Sequence, residues 1–339
     1  MTYEPDVQVL CADVAALATP AGRMVGSAGH ERARDFLCKR MSSLGLEPYN
    51  GAAGYGLPYQ HGGQDFFNLV GVLPGADRQA RPVLLGAHYD SVIDAPCADD
   101  NAAAVAITLA VAKRLRAECP ARDVLVAFFD AEEPPYFLSQ AMGSIRFVLD
   151  QMDPRGVGCA LIQDLTGHDV SLPVPAAGSV ALPRIKDLVF MTGAESHPRL
   201  ADLVRGCLDR SNLPVVAALN EHVGDMSDHH AFREMGLPYL FFSCGRWKHY
   251  HQRSDTPEKL NYEKMARIAA LLADVALACA ACDLPKIAGD TDTAAFEINL
   301  LERAFGALLP ALLRLVGVSK LHGRADLDTL AAALTGLGL

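Results

Sequence analysis

Imidazoles and carboxylates in this chain stand where apolar runs have just ended. Residues 83–87 read Val-Leu-Leu-Gly-Ala and deliver His88 and Asp90 in an H-x-D arrangement, and Asp99, Asp100 and Asn101 follow after a loop. Glu132 and Glu133 come directly after the run Val-Leu-Val-Ala-Phe-Phe at 124–129, and Asp164 closes Ala-Leu-Ile-Gln at 160–163. Asp228-His229-His230 and His249-Tyr250-His251 add further groups of the same kind. Imidazole nitrogen and carboxylate oxygen are the ligands a borderline cation such as zinc accepts, and a carboxylate two residues from a histidine can orient that histidine's second ring nitrogen. From the H-x-D stretch alone a plainer reading stands beside this one, a polar loop in which Asp100 caps the next helix.

These groups can act together only if the fold brings several strand ends to one edge. The spacing of Ala33, Phe36, Leu37, Met41 and Leu44 predicts an amphipathic helix over 27–44, stopped at Gly45. Further helical patterns run over 101–116, 199–210 and 262–282, and strands are predicted at 66–73, 83–87, 124–129, 160–163, 188–191, 215–216 and 239–243. The short polar connection 76–81 predicts a hairpin or edge pairing between the strands on either side of it. Alternating strands and helices predict an α/β fold, a mostly parallel mixed sheet flanked by helices, in which ligands gather outside the carboxyl ends of the strands. His88, Asp100, Glu132, Glu133 and Asp164 all fall at such ends, which favours a metal site over a helix cap. Residues 1–284 are read as this domain. Residues 285–293 are read as a linker and 294–339 as a helical extension broken near His322-Gly323, which should pack on the domain or form a homodimer.

Half of the 339 residues are hydrophobic, enough for a sizeable core. Forty acidic against 30 basic side chains give a formal charge of −10, which offers no attraction to nucleic acid or to anionic lipid. The first twenty residues lack a basic segment of the secretory kind, and the apolar stretch 300–318 is broken by Glu302, Arg303, Pro310 and Arg314, so no membrane partner is expected. Nine scattered cysteines fit reduced thiols and a cytoplasmic location; Cys279 and Cys282 are read as small buried residues of a helix.

The string YHQRSDTPEKL over 250–260 narrows the choice. Together with GAHYDSV, ADDN, Glu132-Glu133 after FFDA, QDLTG around Asp164 and SDHHAF at 227–232, it gives six pieces in one order. On these the sequence resembles the M28 family of zinc peptidases, of the co-catalytic aminopeptidase type, over roughly residues 26–280. The resemblance implies two zinc ions (Zn2+) per chain bridged by Asp100, with His88 and Asp164 completing one ligand set and Glu133 and His251 the other. It implies Glu132 as general base, Tyr250 as a donor to the oxyanion or else a packed aromatic beside a ligand, and Asp90 and Asp228 as groups standing behind the ligands. His229, His230 and His249 are read as structural or lining. The implied activity is hydrolysis of peptide or other small amide bonds by zinc-bound hydroxide, by default as an aminopeptidase.

Two features depart from the family's common pattern. The helix-starting segment is Asn101-Ala-Ala-Ala, where glycine and serine are usual. Ten positions separate Glu133 from Gly143, a long link whose Pro134-Pro135-Tyr136-Phe137 would wall the pocket. The alternatives are a glutaminyl cyclase with a single zinc, moving protons through Glu132 and Asp228, and a binding module that has kept the fold without catalysis. The second would be expected to have lost ligands that are all present here.

Overall fold

The computed structural model describes residues 5–171 and 185–336. Among these described residues nine strands form one sheet: β1 (Glu47–Pro48), β2 (Gly56–His61), β3 (Gln64–Leu73), β4 (Val83–His88), β5 (Val124–Phe129), β6 (Cys159–Gln163), β7 (Val189–Thr192), β8 (Val215–Ala217) and β9 (Tyr239–Ser243). The α-helices are α1 (Val7–Leu17), α2 (Ala28–Ser43), α3 (Ala104–Glu118), α4 (Gly143–Arg146), α5 (Leu200–Leu208), α6 (Asn220–Val223), α7 (His229–Glu234), α8 (Tyr262–Ala280), α9 (Ala294–Phe305), α10 (Leu309–Leu315) and α11 (Arg324–Gly336). Among the described residues no helix is long and apolar enough to cross a membrane.

The strands run in the order β1-β3-β5-β4-β6-β9-β7-β8, with β2 also paired to β3. The centre, β5-β4-β6-β9, is parallel, and antiparallel pairs flank it at β3/β5 and β7/β9. Every residue of β4, β5 and β6 is buried, which is why their sequences are unbroken apolar runs without alternation. Alternate side chains still divide between two faces. Val83, Leu85 and Ala87 join a large core with α1, α2, α3, α5 and α8, whereas Leu84, Leu125 and Ile162 face a smaller one around Phe147 and Phe232. The register pairs His88 with Phe129 and Gln163 with Phe242, so β4, β5, β6 and β9 end level and release their next residues at one edge.

Two expectations are corrected. β3 and β4 do not pair, because β5 lies between them. The polar connection crosses the start of β5, with Ala76 N–H donating to Pro120 O (3.0 Å) and Asp77 N–H to Ala121 O (2.9 Å); a wholly apolar strand such as β5 needs a neighbour on each side. The regular helix starts at Ala104 and not near Asn101, since Asp100 and Asn101 have non-helical backbone angles. Asp100 is therefore no cap, and the N-terminus of α3 has no side-chain cap at all. Helix α2 follows the prediction closely: Ser27 caps it by accepting from His30 N–H at 3.1 Å.

Past the irregular segment 283–293, α9 lays Phe296, Leu300 and Ala304 into the main core. A small separate cluster, including Leu301, Leu309, Leu313, Leu327 and Leu330, ties α9, α10 and α11 together. Arg324 pairs with the buried Glu297 at 2.6 Å across that unit.

Candidate metal centre

His88 is the last residue of β4, and its Nε2 faces Asp100 Oδ1 at 3.4 Å, Glu132 Oε2 at 3.7 Å and Asp164 Oδ2 at 3.7 Å. His251, on the loop after β9, turns its Nε2 to the other oxygen of Asp100 (3.3 Å) and to Glu133 Oε2 (3.2 Å). The five expected metal ligands thus stand together in two groups that share Asp100. Within His88, Asp100 and Asp164, and again within Asp100, Glu133 and His251, ligand-type atoms all lie within 4.8 Å of one another. His88 Nε2, Asp100 Oδ2, Glu133 Oε1, Asp164 Oδ1 and His251 Nε2 are buried and make no hydrogen bond. Each such atom costs ~1–3 kcal/mol. Five of them converging on one space, of the types that bind zinc, fit a cation that would satisfy them together.

Of the two groups expected behind the ligands, Asp90 uses both of its carboxylate oxygens. Asp90 Oδ1 faces His88 Nδ1 at 3.3 Å and accepts from Glu132 N–H at 3.2 Å, while Oδ2 accepts from Glu133 N–H at 3.1 Å. One carboxylate thereby fixes a histidine on β4 and both acids after β5. Asp99 turns away from the centre and accepts from Gly167 N–H (2.6 Å) and pairs with His168 Nδ1 (2.5 Å).

Two residues that the sequence reading did not single out hold the Asp100 loop. Asp255 Oδ1 and Oδ2 accept from Asp99 N–H at 2.9 and 3.1 Å, and Oδ2 also accepts from Asp100 N–H at 3.2 Å. Arg23, 1% exposed, donates to the carbonyls of Leu17, Tyr89, Pro96, Cys97 and Asp100. Asp255 lies inside the 250–260 string and was within reach of the motif; Arg23 carries no local signal.

Six carboxylates crowd two imidazoles here, and the acidities follow. Burial, then the neighbouring acids, pushes Glu133 up to about 8 and Asp228 to about 7, and it raises Asp164 and, much further, Glu132. Burial acts against protonation of His251, but its contacts with Asp100 and Glu133 prevail and hold it near 10; His88 is raised likewise by the surrounding acids. Asp100 alone goes down, because burial is outweighed by the two imidazoles that face it. An excess of buried negative charge is what a bound dication offsets.

The remaining expected residues are placed as follows. Tyr250 stacks on His251 with ring centroids 3.7 Å apart. Asp228 is wholly buried and neither carboxylate oxygen has a hydrogen-bond partner. His229 bonds Asn220 Oδ1 (3.0 Å) and stacks on Phe241, His230 bonds Asp225 (2.9 Å), and His249 bonds Ser254 (2.7 Å); none belongs to either ligand group. A third grouping, Asp225, His230 and Glu234, is already neutralised by Arg233, which donates to both oxygens of Asp225.

The long link after Glu133 forms a closed loop. Gly143 N–H donates to Asp130 O at 2.7 Å, and a Cβ at Gly143 would lie 2.4 Å from that same oxygen, so only glycine fits. Tyr136 packs edge-on against Phe66 (5.2 Å) and donates to Gln64 Oε1 (3.0 Å), which fastens the loop to β3.

A mixed sheet with two carboxylate-and-imidazole groups at one edge defines a class of zinc peptidase. Residues 68–276 match Peptidase family M28, and the chain belongs to that family, whose metal is zinc. YfbL, an uncharacterized protein of Escherichia coli K12, is 30% identical over 205 residues, which cover 55% of this chain and 63% of that one; the chain thus spans under two thirds of this relative's length. The fold is similar to a Zn-dependent exopeptidase from Parabacteroides distasonis (TM-score 0.63, 16% identity, 82% of this chain and 99% of that one). It is similar too to the LapA aminopeptidase of Legionella pneumophila (0.66, 18%, 81% and 72%) and to a glutaminyl cyclase from Tannerella forsythia (0.62, 17%, 80% and 98%).

Proposed function

We propose that this M28 chain is an aminopeptidase working with two zinc ions. The reading rests on one observation: the two oxygens of Asp100 face two different histidines, each at the head of its own ligand group. Zinc, when bound, supplies a Lewis acid for the scissile carbonyl and lowers the pKa of water from ~15.7 to ~7.

The chain's own residues do the rest. Glu132 stands at the His88 end without belonging to either ligand group, and burial raises its proton affinity well above the carboxylate norm. Such a group takes a proton from the attacking water and returns it to the leaving amine. Asp90 holds Glu132 and Glu133 by their N–H groups, so base and ligand keep fixed relative positions. Burial raises the Tyr250 phenol further above its ordinary value, so it stays a proton donor, as a group facing developing negative charge must be.

A glutaminyl cyclase is the second reading, favoured by Asp228, whose buried and unpartnered carboxylate near 7 suits proton transfer during ring closure. The test combines metal analysis with a panel of peptides having a free amino terminus, their N-acetyl counterparts and glutaminyl peptides. Two ions per chain and cleavage only of the free-amino set are expected. One tightly held ion with ring closure of glutaminyl peptides would replace the peptidase reading by the cyclase.

A further inference from the structure

The loop from β9 to the ligand His251 carries a concentration of positive charge that the site chemistry leaves unused. Arg246 and Lys248 are both exposed, and among the described residues neither forms an ion pair, although acids outnumber bases by ten in this chain. Arg246 lies over an aromatic ring. Its guanidinium lies 5.2 Å from the centre of the Tyr250 ring, and that ring is 3.7 Å from the ring of His251. Arg246 is therefore no farther from His251 than those two steps together, the span of between two and three extended residues at ~3.3–3.6 Å each.

The loop is also anchored. Cys244 N–H donates to Leu165 O at 2.8 Å, and Trp247 stacks on His168 at 4.6 Å. His168 is in turn bonded to Asp99, the neighbour of the shared ligand Asp100. An exposed guanidinium without an ion-pair partner among the described residues, within that distance of a ligand histidine, matches the terminal carboxylate of a short peptide.

We infer that Arg246 receives the C-terminal carboxylate of the substrate, and that dipeptides and tripeptides with a free carboxyl end are the preferred class. The inference rests on the exopeptidase reading above. Longer peptides place their carboxylate beyond the reach of Arg246 and lose this contact.

The experiment compares Leu-Leu with Leu-Leu-amide, and Leu-Leu-Leu with a leucine-led hexapeptide, on the zinc-loaded enzyme and on Arg246→Gln. The wild type should favour the free acid over the amide by ~10–100-fold in kcat/KM, carried mainly by KM, as a charge-assisted hydrogen bond provides. In Arg246→Gln that ratio should fall toward one, whereas Arg246→Lys should keep part of it, with the melting temperature unmoved in both. Equal turnover of acid and amide by the wild type, or an undiminished ratio in Arg246→Gln, overturns the inference while leaving the peptidase reading standing. Failure to cleave any of the four peptides by a chain that binds zinc overturns the peptidase reading, and this inference with it.

Discussion

Asp255 holds Asp100 by its backbone: its Oδ2 accepts the Asp100 N–H at 3.2 Å and leaves both side-chain oxygens of Asp100 free to face the two histidines. The same carboxylate accepts from Asp99 N–H, and burial followed by repulsion from Asp99 pushes it up to about 7. Asp255→Ala would strand two buried N–H groups at ~1–3 kcal/mol each, so the melting temperature should fall by several degrees. Zinc affinity should fall ~10–100-fold, as it does when the support behind a ligand is lost. Asp255→Asn, which keeps an acceptor oxygen, should lose less on both counts. Calorimetric zinc titration together with thermal melting checks this, and unchanged affinity in Asp255→Ala would show that the Asp100 loop holds its shape unaided.

Glu132 and Glu133 are neighbours that should fail differently. Glu132→Gln keeps size and leaves both ligand groups intact, so bound zinc should be normal while turnover drops ~10²–10⁴-fold, or roughly 3–5 kcal/mol of barrier. Glu133→Gln replaces a ligand by a poorer one and should lower zinc content first. Metal analysis and kinetics on both variants decide the matter; metal loss in Glu132→Gln alone would reverse the two roles.

Glu195 offers a stability test away from the metal centre. It is buried, its Oε1 accepts from Asn220 N–H at 2.7 Å, and its Oε2 has no partner. Burial, aided by Asp290 and Glu297, raises it from 4.5 to about 7. The folded state therefore holds this proton more tightly than the unfolded state does, and stability from this group declines as pH rises through that window, by up to ~3 kcal/mol. Glu195→Gln should remove that decline and be more stable than the wild type at pH 8 but not at pH 5. Urea unfolding at the two pH values measures it, and parallel losses in both proteins would count against the assignment.

The C-terminal helices are joined to the main core through α9. Phe296→Ala should cost ~3–5 kcal/mol, the usual range for emptying a buried phenylalanine site, and should show as a lower denaturation midpoint. Deleting residues 286–339 should lower stability or solubility further, because α9 would no longer cover its part of that core. A truncated chain with an unaltered midpoint and solution mass would contradict this.

The parts legible in the sequence were those set by local pattern. β4, β5 and β6 announced themselves because strands buried on both faces must be continuous apolar runs, and the acids that follow them had to emerge at the same edge. Helix α1 carries a local pattern too, in the three-and-four spacing of Leu10, Val14 and Leu17. The insertion of β5 between β3 and β4 was not readable, since nothing in a short polar connection says whether its two strands touch. Arg23 was equally hidden: its partners span residues 17 to 100 and are backbone carbonyls, which have no side-chain identity to recognise.

The hydrogen bond from Gly143 back to Asp130 means that the chain leaves the strand end and returns to it, whatever happens between. Asp90 holds the N–H groups of Glu132 and Glu133 on the near side of that closure, and from inside the loop Tyr136 N–H donates to Glu133 O at 2.9 Å. The segment 137–142 is thus a cassette: its length and composition can drift while Asp90 still holds the two acids and Gly143 still closes the loop. In a lineage of such chains, insertions and deletions would accumulate here, between two tethered ends.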